Sequence, residues 1–202
     1  MYGNITDYLA EALLEHEVGK TALPLPTTFV GLSTTIPAND GSNITEPGAG
    51  YAQQETAGSD WAAAASRAIA SAADIEFGPA TEDWGEIVAW FLGDESQNIL
   101  RWGRLGKVYT TLAEELDETE ATISLTDASS LPAAGTVMID DELITYTGKS
   151  TNDLTGCTRG TGGTDAHAHA SGVDVFSCLP RTVSSGDTLK FAAGDLVMSY
   201  KA

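Results

Sequence analysis

Asp165, His167 and His169 are the residues whose types and spacing come nearest to a chemical site. In an extended segment alternate residues point to one side, so all three could face a cation. Imidazole together with carboxylate suits zinc or nickel. The competing reading is a polar loop rich in Gly and Ala, in which the histidines are incidental. Asp40 and Glu46, with neighbouring carbonyls, offer the oxygen ligands that Ca²⁺ prefers, but the spacing of a calcium loop is absent. Cys157 beside His167 or His169 would imitate a thiol–imidazole pair. Cys157 lies in a Gly-rich turn, however, with no helix N-terminus to activate the thiol. Glu82–Asp83 and Asp94–Glu95 are adjacent carboxylates, whereas glycoside hydrolysis needs a pair brought together across a cleft. Neither a Gly-x-Ser-x-Gly elbow nor a phosphate-binding glycine loop occurs. Trp84, Trp90, Trp102 and Phe91 could stack on sugars, but apolar neighbours such as those of Trp90 point to the core. Trp61, after Gly58-Ser59-Asp60, is the better candidate for an exposed or interfacial ring.

Composition narrows the partners. The 202 residues carry 10 Lys+Arg against 29 Asp+Glu, a formal charge of −19. Phosphate backbones need basic side chains, so no nucleic-acid partner is expected. The same charge opposes docking on an anionic membrane surface. No apolar run reaches the roughly 18 residues of a membrane span, and the first 20 residues lack the pattern of a signal peptide. An apolar content of 42% rules out a wholly disordered acidic tail. Cys157 and Cys178 are too few for a disulfide scaffold and are expected as free thiols. Glu114, Glu115, Asp117, Glu118 and Glu120 read as a solvated connector, held open by like charge.

The elements that must position these residues are mostly strands. One amphipathic helix is predicted near the N-terminus, with Ile5, Leu9, Ala12 and Leu13 on one face. Asn4 is its expected cap, Gly19 its stop, and Pro24 and Pro26 bar continuation. Residues 27–34 and 51–56 read as strands flanking a long polar loop over 36–50. Residues 61–73 are rich in alanine and are expected as a loop with a short turn rather than a helix. Residues 73–77, 86–93 and 99–105 are the strongest strand segments, and 86–93 is apolar on both faces, as a central strand would be. Residues 188–192 and 196–200 are expected to form a hairpin across Gly194-Asp195. From about residue 110 a second β pattern begins, through Ile123, Leu125, Val137 and Ile139, a turn at Asp140-Asp141, and Leu143 to Tyr146. It runs to about residue 178 and has a size that can fold alone.

The segments TTFVGLSTT, GAGYA, FGPATEDWGEIVAWFLGDE, NILRWGRL and PRTVSSGDTLKFAAGDLVMSY together resemble a family of tailed-bacteriophage structural proteins. The stretch from TISLTDASSLPAAG to DAHAHASGVDV resembles a separate, widespread phage β-module. Relatives frequently carry Arg after the position of Ala52, where this chain has Gln53. The resemblance also favours a recurring loop over a metal site at residues 165–169. It implies an all-β fold: a jelly-roll-like antiparallel β-sandwich with an N-terminal helix, built from 1–109 plus 179–202 and interrupted by an inserted β-rich module over 110–178. The expected role is a virion structural protein with no enzymatic activity, catalytic residue, cofactor or metal. The leading expectation is a capsid decoration, or cement, protein on the outer head surface. It would bind the major capsid protein as a homotrimer, after assembly in the host cytoplasm. The alternatives are a tail fibre or appendage protein contacting the host surface, or a glycan-binding adhesin.

Overall fold

A computed structural model of the chain describes residues 2–23, 26–140, 142–178 and 180–199. Pro24 of the expected helix stop, Asp141 of the expected turn and Tyr200 of the expected hairpin lie outside them. The chain is mostly β, with antiparallel sheets and one N-terminal helix. In chain order the elements are β1 (Tyr2–Ile5), α1 (Asp7–Glu17), β2 (Thr28–Ser33), β3 (Gln54–Thr56), β4 (Ala68–Ala70) and β5 (Ile75–Phe77). Then come β6 (Gly85–Ile87), β7 (Ala89–Asp94), β8 (Ile99–Arg104), β9 (Gly106–Thr111), β10 (Thr122–Ser124) and β11 (Gly135–Ile139). The last are β12 (Glu142–Tyr146), β13 (Gly148–Ser150), β14 (Asp153–Thr155), β15 (Asp174–Cys178), β16 (Arg181–Val183), β17 (Leu189–Phe191) and β18 (Val197–Ser199). They fall into two compact units, Met1–Leu105 with Pro180–Ala202, and Gly106–Leu179.

The first unit holds a seven-stranded sheet in the order β3-β2-β7-β8-β1-β18-β4, with two-stranded pairs β16-β6 and β17-β5. The described pairings show neither a closed barrel nor a jelly roll. β7 lies between β2 and β8 and is buried at both parities from Ala89 to Gly93, which explains its unbroken apolar run. Its ring at Phe91 fills the space a side chain would take at Gly31, directly opposite on β2. The expected single strand over 86–93 is interrupted at Val88, because β6 pairs with β16 while β7 pairs with β2 and β8. The expected C-terminal hairpin does not form. A turn links Ala192 to Asp195, but β17 pairs with β5, and β18 lies between β1, which it joins in parallel, and β4. Tertiary partners override the local hairpin pattern there.

The helix is capped by Thr6, whose Oγ1 accepts from Leu9 N, rather than by Asn4, which belongs to β1. It ends at Glu17, and Gly19, just past the C-cap Val18, takes the left-handed region with φ 72°. Residues 61–71 form no helix. Bridges Trp61–Ser71 and Ala65–Ala68 close a small hairpin over Ser66 and Arg67, both at positive φ. Trp61 is half-buried, packs against the core and donates to Thr56 Oγ1 at 3.3 Å. That core joins Val30, Leu32, Phe77, Trp90 and Phe191, with Tyr51 stacked on Phe77 at 6.1 Å. No helix of the described residues is long and apolar enough to cross a membrane.

The second unit holds a four-stranded sheet in the order β12-β11-β15-β9 and a three-stranded sheet in the order β10-β14-β13, all antiparallel. β9 pairs along its length with β15, so residues 106–109 belong here and not to the first unit. Its core is mostly aliphatic, with Leu112, Ile123, Val137, Ile139, Ile144 and Leu154 joined by Tyr146. All five acids of the segment expected as a solvated connector are exposed, while the backbone between them is tied to the second unit. Leu116 is buried and exchanges backbone hydrogen bonds with His169, and Asp117 Oδ1 accepts from Thr119 and Glu120 N–H.

Candidate functional site

The β11–β12 hairpin places Glu142 opposite Ile139, at the same parity as Ile144 and Tyr146. Alternation along a strand sends these three inward together, and the Glu142 side chain is fully buried. An unpaired carboxylate there would carry a large desolvation cost. The loop after β14 meets it. Arg159 Nε and Nη2 donate to Glu142 Oε1 and Oε2 at 2.7 Å each, the planar fork that matches a carboxylate. Gly160 N donates to Oε1 at 2.9 Å and His167 N to Oε2 at 3.3 Å. His169 Nε2 lies 2.8 Å from Oε2, and its Nδ1 lies 2.9 Å from Asp140 Oδ2. Arg159 also donates to the carbonyls of His167, at 2.7 Å, and Asp117. Burial pushes the Glu142 carboxyl up. The hydrogen bonds from Arg159, His169 and the Gly160 and His167 amides outweigh it and hold it down at about 2.

Among the residues singled out from sequence, His167 and His169 come together, with ring centroids 4.4 Å apart. Exposure alternates from 166 to 169, with His167 half-buried and His169 buried, as an extended segment requires. Asp165 is exposed, and its carbonyl lies 3.2 Å from His167 Nδ1. Glu142 takes the place expected for Asp165, and one ligand atom each from Glu142, His167 and His169 lie within 4.8 Å of one another. Sequence reasoning took the acids near 140 as turn residues. The available signal was parity, since Glu142 stands two and four residues before the core-facing Ile144 and Tyr146.

The other carboxylates read as turn anchors. Asp40 Oδ1 accepts from Ser42 N at 2.9 Å, and Glu46 accepts from Gln53 Nε2 at 3.0 Å. Glu82 accepts from Ala49 N, Asp83 from Ser185 N, Asp94 from Ser96 and Asn98 N–H, and Glu95 from Thr27 N. Cys157 and Cys178 are not joined by a disulfide, and burial pushes the Cys157 thiol up to about 11, away from the reactive thiolate. Trp84, Trp90 and Trp102 are buried, as the apolar neighbours of Trp90 suggest. Asp165, His167 and His169 therefore offer two of three residues to a ligand set, and the arrangement holds a charge in the interior of the second unit.

No curated protein sequence matches the chain. The family model described as Podophage GP4 fiber I protein gp80 matches residues 4–113, more than half of the chain. The chain therefore belongs to that family of phage fibre proteins, structural components of the virion.

Proposed function

We propose that the chain works in the tail fibre by adhesion, joining further copies of itself and contacting the host surface. The observation that carries this is the fibre family match over residues 4–113. It favours a fibre over the expected capsid cement on the outer head surface. Self-association is supported by α1, which has no buried residue, and by the exposure of its Leu14 and of Val18 at its C-cap, 64% and 78%. Such apolar side chains gain when a second copy covers them. A homotrimer is the assembly proposed, since closed symmetry prevents open-ended growth. The second unit is proposed as the host-facing part, because the match ends at residue 113 and leaves most of that unit outside it.

The proposed form of the first unit is the jelly-roll-like sandwich. Ile87 of β6 and Phe77 and Phe191 of the β17–β5 pair enter the same core as Val30, Leu32 and Trp90 of the large sheet, as a second layer would. Fractionation of the virion tests the proposal. The chain should follow the tail fraction at a few copies per particle. Its recovery on tailless, DNA-filled heads at a copy number near that of the capsid protein would restore the cement reading.

A further inference from the structure

We propose that Glu142, His167 and His169 bind a divalent transition ion of the zinc class. One ligand atom from each lies within 4.8 Å of the others, so small side-chain shifts bring all three to a common centre at bonding distances of about 2.0–2.2 Å. Two imidazoles and one carboxylate favour zinc, nickel or copper over the oxygen-seeking calcium and magnesium. Two details prepare the histidines. Asp140 Oδ2 holds Nδ1 of His169 at 2.9 Å and turns Nε2 toward Glu142, the carboxylate support typical of ligating histidines. The Asp165 carbonyl, an acceptor only, lies 3.2 Å from His167 Nδ1 and so places the proton there, leaving Nε2 as the ligating nitrogen.

The carboxylate can serve with one oxygen. Oε1 keeps Arg159 Nε and Gly160 N, while Oε2, beside His169 Nε2, turns to the ion. The ion takes the place of the hydrogen between His169 Nε2 and Glu142 Oε2, and that proton leaves to solvent. Arg159 Nη2, 2.7 Å from Oε2, places a second cation nearby and limits the affinity. The chain's formal charge of −19 works in the opposite direction. Half-buried His167 gives the ion a route from solvent.

Zinc chloride is titrated calorimetrically into the full chain and into His167→Ala, with histidine ring signals followed by NMR. The expected result is saturable one-to-one binding, weakened more than about tenfold in His167→Ala. In the wild-type chain zinc should move the ring signals of His167 and His169 and leave His16 unmoved. This second reading stands whether or not the variant folds. Absence of saturable binding, unchanged binding in a folded His167→Ala, or a response confined to His16 would overturn the proposal.

Discussion

The first unit closes its core with rings, Tyr51 stacked on Phe77 and edge-on to Trp84 at 5.6 Å, and Phe77 edge-on to Phe191 at 6.0 Å. The second unit has a mostly aliphatic core, with Tyr146 as its one ring in the cluster, and, beside it, the buried Glu142–Arg159 pair with His169. The contrast teaches that two β units of one chain can depend on different forces. Aromatic packing depends on area and shape and is indifferent to protons. A buried ion pair is held by its complete set of partners, and loss of one leaves an uncompensated charge. All four tryptophans, Trp61, Trp84, Trp90 and Trp102, lie in the first unit, so tryptophan fluorescence reads that unit alone.

The largest effect should separate the two units outright. Arg159→Ala strands Glu142 and should lower the stability of the second unit by about 3–5 kcal/mol. Urea unfolding followed by methyl NMR of that unit reads the loss, with the fluorescence transition unmoved. A variant as stable as the parent would remove the ionic pair from its supporting role.

The reciprocal change is Phe77→Ala. It deletes the ring between Tyr51 and Phe191 and should cost the first unit about 3–5 kcal/mol. Here the fluorescence midpoint should fall while the methyl signals of the second unit stay.

Acid sharpens the comparison. The folded Glu142 carboxyl, at about 2, lies below its ordinary 4.5. Its contribution, on the order of 3 kcal/mol, is therefore complete above about pH 4.5 and lost as pH falls toward 2. The second unit should lose stability in that window by more than the first. Equal loss in both, measured by the same two signals, would contradict a special role for Glu142.

The smallest effect expected is at the helix. Thr6→Ala removes the cap on Leu9 N and should cost about 1 kcal/mol, seen as a small drop in helical circular dichroism.

Much of the first unit was legible because its long strands carry their own pattern. β2 and β7 follow runs of β-branched, aromatic and apolar residues, and the helix follows its repeat and Gly19. The break at Val88 and the partners of β17 and β18 were not legible. They depend on which distant strand offers free backbone groups, and no local residue records that. The same holds for the site. Alternation placed His167 and His169 on one side, but Glu142 reaches them only because the β11–β12 hairpin brings it beside a loop 25 and 27 residues away. Asp165 satisfied the spacing, yet the segment turns it out to solvent.

The central claim is that this chain is a working part of the fibre. The most direct measurement is electron microscopy of intact virions labelled with a gold-tagged antibody raised against the purified chain. Label on the appendages of the tail is the predicted result. Label spread over the head, or confined to lysate without virions, would contradict it.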